Sequence, residues 1–411
     1  MPQGSEQLPR STRYLQAALK KYLLKDGRLL DVGSASGKIA REWVSQGHSA
    51  TYSHYQLPAC HQVARGSGMV LTPPTGGVAQ GNDPWLWAGD ITGLSIAFTD
   101  GAPAGPYALG TFDTREYETP YALEMMGHIA AALASDGCLL AAIDGTIAIT
   151  AWREQLKSWF QHVQELVLDP PQPRDLQIFL AQEPIQGKKP HIHYWPWQAA
   201  LGEQVYDFWG APGVFSPRGL DTGTAHMLEI MEVSPQARFL DLGSGTGVVS
   251  VIANRDFQAS VYAVDTNARA LRLTAMNCQK NMAGDVEIQP SDGLVDIHDS
   301  VVFDVIACNP PYHTDFGVAR RLMEGAFQRL REGGKLYLVV KRADWYERKL
   351  ESLFGGFQRH TRGDYMVLVS ERRPNSSKDM GIEEHAEAGT KKHLKRLERT
   401  KRRKRVAGRR R

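Results

Sequence analysis

Arg238-Phe239-Leu240-Asp241-Leu242-Gly243-Ser244-Gly245-Thr246-Gly247 decides the fold. A largely apolar run enters a turn with glycine at every second position, and Val248 to Asn254 continues with helical apolar spacing. A strand that passes through a glycine turn into a helix lets backbone approach a ligand where side chains would block it. Alone, Gly-x-Gly-x-Gly also fits a dinucleotide site or a plain tight turn. The residues beyond extend the pattern. Ser260 to Val264 reads as the next strand, closed by Asp265, and Ala268 to Asn281 as a helix. Val286 to Ile288 is a short strand before Ser291-Asp292-Gly293, and Phe303 to Cys308 a fourth strand. Val318 to Leu330 has helical spacing, and Gly333-Gly334 leads into the strand Lys335 to Val340. Strands alternating with helices predict a parallel sheet covered on both faces. Tyr365 to Val369 follows the turn signal Gly363-Asp364 and is expected to pair antiparallel at an edge.

The N-terminal half repeats this grammar. Arg28-Leu29-Leu30-Asp31-Val32-Gly33-Ser34-Ala35-Ser36-Gly37 echoes Arg238 to Gly247. Tyr107 to Phe112 precedes a helix-like Ala122 to Ala134, and Asp136 to Ile143 echoes Glu332 to Val340. An internal duplication of a whole domain follows. The expected division is a first domain over 1–182, a linker over 183–200, a second domain over 201–374 and a tail over 375–411.

At 411 residues two domains are the default, and 42% hydrophobic content suffices for ordinary cores. No apolar run approaches the ~20 residues of a membrane span, and Met1 to Arg13 lacks the apolar core of a secretory signal. Cys60, Cys138, Cys278 and Cys308 are scattered without CxxC spacing, so neither a disulfide framework nor a zinc site is expected. A reducing cytoplasm fits this usage. The net charge of +3 hides an asymmetry: Lys391 to Arg411 holds 13 Lys or Arg against Glu398 alone, a net +12, and the rest of the chain carries −9. A basic, disordered tail on an acidic body points to a polyanionic partner, foremost nucleic acid.

In the second half Asp265 ends the second strand where a carboxylate can accept from ribose hydroxyls. Asp292, after the third strand, suits an adenine amine, and Asp241 can meet an ammonium through a water or backbone group. Such an acidic pocket suits a cationic ligand better than a pyrophosphate, and S-adenosylmethionine, with its sulfonium and ammonium, fits best. Asn309-Pro310-Pro311-Tyr312 sits at the carboxyl end of the fourth strand, beside the point where ligands bind in such sheets. Two prolines stiffen the loop and remove two amide donors. The side-chain carbonyl of Asn309 and the backbone carbonyl of Pro310 can accept from an exocyclic NH₂, favouring positive charge on nitrogen as it attacks a methyl group. Tyr312 can stack on an extruded base, a contact worth ~1–3 kcal/mol. Together these elements predict methylation of a planar amino nitrogen.

With the approach segment Pro212 to Thr224, the stretches Asp241 to Gly247 and Asn309 to His313 resemble the RsmC/RlmG-type ribosomal RNA guanine-N2 methyltransferases. The resemblance is densest from Tyr206 to Arg372. It implies two tandem class I methyltransferase-like (Rossmann-like) α/β domains, the first degenerate and the second catalytic. S-adenosylmethionine is then the donor and a guanine amine of rRNA the acceptor, on free RNA or a ribosomal subunit, with no metal and a monomeric chain. By position the resemblance gives Gly243 and Gly245 to the methionine end, Asp265 to ribose and Asp292 to adenine. Asn309 through Tyr312 hold the base, with Asn309 also bordering the cofactor. The family usually has Phe where this chain has Tyr312. Tyr also suits adenine-N6 and glutamine-N5 methyltransferases, so both targets stay open. A non-catalytic RNA-binding assembly factor on the same fold is the alternative of another class.

The first half departs from the motif. Ala35 replaces the central glycine, His54 stands where an acid would end the second strand, and Asp113-Thr114-Arg115-Glu116 replaces the Pro-Pro loop. This half is expected to lack cofactor and to support the fold or RNA recognition, with Trp85 and Trp87 as a stacking surface or buried packing.

Overall fold

The structure, a computed structural model, describes residues 8–22, 27–67, 93–144, 149–310 and 316–373. Trp85, Trp87, Pro311, Tyr312, His313 and the tail Lys391 to Arg411 lie outside the described residues. The described residues fall into two compact units divided between His298 and Asp299.

The first unit opens with α1 (Arg10–Tyr22), β1 (Leu29–Val32), α2 (Lys38–Ser45), β2 (Ala50–His54), α3 (Leu57–Ser67), β3 (Leu94–Phe98) and β4 (Tyr107–Asp113). It continues through α4 (Thr119–Ala132), β5 (Leu133–Asp144), α5 (Ile149–Trp159), β6 (Phe160–Leu166) and β7 (Leu176–Pro184). These strands form one sheet in the order β3-β2-β1-β4-β5-β7-β6, parallel from β3 to β5 and antiparallel at β7 and β6. Phe112, Tyr121, Met125, Leu139 and Trp152 lie in the core on one of its faces.

A hairpin of β8 (Trp195–Leu201) and β9 (Gln204–Gly210) follows, so the stretch 183–200 holds the end of β7 and most of β8. Next come α6 (Thr222–Ile230), β10 (Arg238–Leu242), α7 (Val248–Arg255), β11 (Ser260–Asp265), α8 (Ala268–Lys280) and β12 (Val286–Pro290). Strands β12, β11 and β10 pair in parallel in that order, as β3, β2 and β1 do. The caps explain where these helices start: Asp221 accepts from Thr224 N before α6, and Asn267 accepts from Arg269 N before α8.

The second unit holds β13 (Phe303–Cys308), α9 (Phe316–Arg329), β14 (Leu330–Val340), α10 (Ala343–Phe354), β15 (Gln358–Arg362) and β16 (Tyr365–Glu371). Its order β13-β14-β16-β15 and strand senses match β4-β5-β7-β6. Even an irregularity is copied. The β4 ladder shifts register between Tyr107 and Leu109, and the β13 ladder between Phe303 and Val305. A duplicated irregularity argues for duplicated domains more strongly than duplicated composition.

Two local expectations change. Gly333-Gly334 lies inside β14, because Gly333 N donates to Arg372 O and Arg372 N to Gly334 O, which carries the ladder through the glycines. Tyr365 to Val369 is antiparallel but not at the edge: β16 pairs with β14 on one side and β15 on the other. The edge strand, Gln358-Arg359-His360-Thr361-Arg362, has no apolar residue, and its mostly exposed side chains left no alternation to detect.

Within the first unit the two repeats meet at symmetric positions. The registers β1–β2 and β10–β11 equate His54 with Asp265 and Gln56 with Asn267. Leu57 N donates to Thr266 O at 2.8 Å and Ala268 N to Tyr55 O at 2.9 Å. Under that equivalence these bonds are images of each other about the bridge between Gln56 and Asn267. The repeats therefore join around a local pseudo-two-fold axis, at the segment that follows Asp265.

Candidate functional site

Parallel pairing brings Leu242, Asp265 and Pro290 to neighbouring carboxyl ends. Gly243, Gly245 and Gly247 take φ of +88°, +56° and +80°, the left-handed region that glycine enters without strain. Gly247 is also forced by packing, since a Cβ there would lie 2.8 Å from Thr274 Cα. Among the described residues nothing lies within 4 Å of a Cβ built on Gly243 or Gly245. That side of the turn is a cradle with room for a ligand.

Asp265 borders the cradle. Its Oδ2 accepts from Gly245 N at 2.9 Å and its Oδ1 from Asn267 N at 2.8 Å. Burial raises its pKa, and these amides oppose the rise. Asp292 follows Ser291, whose amide donates to Asp265 O at 3.1 Å, so both acids stand at one end of the sheet. The Asp292 amide donates to Asp296 Oδ2 at 2.9 Å, which leaves the Asp292 carboxylate out of that bond.

Asp241 is 3% exposed, and its Oδ2 accepts from Ser250 N and Ser250 Oγ at 3.0 and 2.6 Å. Burial lifts its pKa to about 7 against the opposing bonds from Ser250. Asp31 makes the same tie in the first repeat, accepting from Ala40 N at 2.9 Å across the same nine-residue separation. A contact kept in both copies fastens strand to helix in each, a role for Asp241 that the motif alone did not reveal. Among the described residues no Lys or Arg pairs with Asp241, Asp265 or Asp292, so the cradle is acidic. The same residues contain no cluster able to hold a metal ion.

In the second unit, Asn309 and Pro310 directly follow Cys308, the last residue of β13, with Asn309 half-buried and Pro310 buried. Pro311 and Tyr312, the rest of that sequence-predicted set, lie outside the described residues.

Corresponding positions in the first repeat are taken up by protein. A Cβ on Gly33 would lie 2.8 Å from the Tyr117 ring and 2.9 Å from Asp113 O. Ala35 lacks glycine's freedom, and the left-handed residue moves to Ser36, at φ +53°. Thr12 of α1 accepts from Ala35 N at 3.2 Å, the counterpart of the Gly245 amide that Asp265 binds. His54 replaces Asp265, and its Nδ1 accepts from Gln56 N at 2.9 Å, as Asp265 accepts from Asn267 N. Asp113, the counterpart of Asn309 in the β4–β5 register, accepts from Ser11 and Thr12 at 3.0 and 2.7 Å.

Sequence reasoning missed the layer behind the cradle. Thr274 Oγ1 bonds Ser244 Oγ at 2.9 Å and donates to Gly245 O at 3.3 Å, and Asn277 Nδ2 donates to Thr246 O at 2.8 Å. Asn267 Nδ2 donates to Gly213 O at 2.7 Å, tying the approach segment to the same helix. The available signal was polarity in the wrong place: Thr274 and Asn277 lie on the buried face of α8, where helical spacing calls for apolar residues, and Asn267 is buried at its N-cap. The counterpart of Thr274 in the first repeat is Val63, which packs at Gly37 and has no hydroxyl to bond the turn.

Residues 205–369 match the family model described as the methyltransferase small domain. This part of the chain is a methyltransferase small domain. It runs from β9 into β16 and contains Asp241, Asp265, Asp292 and Asn309. Ribosomal RNA small subunit methyltransferase C of Acinetobacter baumannii is 32% identical over 162 residues, 38% of this chain and 48% of that protein. Ribosomal RNA large subunit methyltransferase G of Streptomyces avermitilis is 34% identical over 189 residues, 43% of this chain and 49% of that protein. The chain spans about half the length of the curated relatives it matches. Among solved structures, the 16S rRNA N2-guanine methyltransferase RsmC of T. thermophilus, in complex with S-adenosylmethionine and guanosine, superposes with a TM-score of 0.72. That match covers 87% of this chain and 91% of the other at 21% identity. Coverage on that scale shows the fold of both repeats: the small domain is preceded by a second domain of methyltransferase-like, Rossmann-like α/β fold.

Proposed function

We propose that the chain is an S-adenosylmethionine-dependent methyltransferase that modifies the exocyclic N2 amine of a guanine in ribosomal RNA. One observation carries the reading: the second repeat keeps an open acidic cradle at positions that the first repeat fills with its own side chains. A cradle that a Cβ would fill, bordered by carboxylates that no Lys or Arg pairs among the described residues, fits a cationic nucleoside. The two curated relatives named for rRNA methylation supply the substrate class.

In this reading Gly243 and Gly245 admit the methionine end, with Asp241 behind the turn. Asp265 accepts from the ribose hydroxyls and Asp292 from the adenine amine. The cofactor supplies an electrophilic methyl group. Asn309 Oδ1 and the carbonyl of Pro310 accept hydrogen bonds from the amine's N–H groups and hold its nitrogen in line, Pro311 stiffens the loop, and Tyr312 stacks on the base. Catalysis by positioning suffices, because in-line transfer gains most from proximity. A ribosomal substrate would be met in the cytoplasm, and the chain is proposed to act there on its own. Among the described residues no helix is long and apolar enough to cross a membrane.

Nucleoside mass spectrometry of rRNA from a strain lacking the chain tests the target. Loss of N2-methylguanosine at one site is the expected result. Loss of N6-methyladenosine redirects the substrate, and an unchanged profile removes rRNA. The tail from Lys391 to Arg411 is assigned to phosphate contacts. Deleting it is expected to lower RNA affinity and flatten its salt dependence while S-adenosylmethionine still binds. An unchanged affinity and salt slope would remove that role.

A further inference from the structure

Arg269 is an unusual residue to find buried in the first turn of α8. It is 0% exposed, and its charge sits at the positive end of a helix dipole, which disfavours it. Three acceptors and a ring surround it. Nε donates to Asp100 Oδ1 at 2.5 Å, and Nη1 donates to Glu124 Oε2 at 2.7 Å and to Pro212 O at 3.0 Å. The guanidinium lies 3.8 Å over the centre of Tyr121. Both carboxylates come from the first repeat.

Asp100 has a particular ancestry in the fold. The β2–β3 register sets Phe98 beside His54, and the β11–β12 register sets Pro290 beside Asp265. Thr99 N donates to His54 O as Ser291 N donates to Asp265 O. Asp100 therefore holds in the first repeat the place that Asp292 holds in the second. Its carboxylate is directed to a cation of the neighbouring repeat, with Arg272 Nη1 3.5 Å from its other oxygen.

The cation it holds is three links from the cradle. Arg269 N donates to Asn267 Oδ1 at 2.9 Å, and Asn267 N donates to Asp265 Oδ1 at 2.8 Å. The same Arg269 grips Pro212, beside Gly213, whose carbonyl Asn267 holds. A second contact across the repeats has the same sense: His61 Nε2 lies 3.7 Å from Asp296 Oδ1, and Asp296 Oδ2 holds the amide of Asp292.

We propose that Asp100 and Glu124, through Arg269, are positioning residues for the S-adenosylmethionine pocket, so that the degenerate repeat sets cofactor affinity in its neighbour. The inference rests on the cofactor reading above. With either carboxylate neutralised, the buried cation pulls the start of α8 out of register with the Gly245 amide, and the binding-competent pocket is populated less. Apparent affinity falls by that fraction.

The test is calorimetry of the full chain with S-adenosylmethionine, for wild type, Asp100→Asn and Glu124→Gln, with ligand-free melting temperatures and kcat at saturating cofactor. Both replacements keep shape and an accepting oxygen. Expected is an increase in Kd on the order of tenfold in at least one folded variant, with kcat retained. A merely structural prop would lower the melting temperature and leave Kd unchanged well below it, and Kd within twofold of wild type in both variants overturns the proposal. Wild type that binds no S-adenosylmethionine overturns the cofactor reading itself, so the two failures are distinct. Glu124→Gln, whose residue also accepts from His193, keeps the test open if Asp100→Asn does not fold.

Discussion

Replacing Asn309 by Ala is expected to cut methyl transfer to rRNA by about 100- to 1,000-fold, with little change in S-adenosylmethionine affinity. The magnitude is that of removing one preorganised partner for charge that develops only in the transition state. An amine carries little positive charge when it binds and much more as it attacks. An oxygen that accepts from its N–H groups therefore stabilises the transition state over the ground state, and its loss falls on kcat. Asn309 lies one residue beyond β13 and is half-buried, so truncation leaves the strand ladder in place. Single-turnover transfer on rRNA beside calorimetry checks it. Turnover within tenfold of wild type would dismiss Asn309 as the amine's partner.

Asp265→Ala is expected to weaken S-adenosylmethionine binding by at least about 100-fold. Two losses combine. On the proposed reading the ribose hydroxyls lose their acceptor, and the amides of Gly245 and Asn267 lose theirs, each orphaned donor costing about 1–3 kcal/mol where water cannot replace the partner. Because those amides set the glycine turn and the start of α8, the mutation damages the pocket as well as one contact within it. Asp265→Asn, which keeps one accepting oxygen, should fall between. Calorimetry decides the matter: retained affinity in the Ala variant would separate Asp265 from the ribose.

Much of this was legible in the chain. The glycine turn after β10, Asp265 at the end of β11, Asp292 just past β12, and the loop after β13 announce themselves through spacing, because each is a short-range requirement of a parallel sheet of the kind that binds at its carboxyl ends. The losses in the first repeat were legible for the same reason. Ala35 cannot substitute for a left-handed glycine at no cost, and His54 is not a carboxylate. Less legible was the filling of the first site. Tyr117 and Thr12 reach it from other elements, and nothing in their local sequence says so. Asp241 was half-read: its place in the motif suggested a ligand, and only the matching bonds of Asp31 and Asp241 revealed the shared fastening of strand to helix.

By itself the sequence determined that the chain is a duplicated α/β fold, which copy kept an acidic cradle, and where the loop proposed to bind the amine lies. The cradle and the loop follow from periodicity and turn chemistry within ten or twenty residues, and the duplication from setting two such stretches side by side. Only the tertiary structure decided what became of the spent copy. Asp100 and Arg269 are 169 residues apart. A buried Arg at a helix start reads locally as an ordinary exposed charge, and an acid after a strand reads as a ligand site. Their meeting depends on contacts between the two repeats within the first unit, which no local pattern encodes.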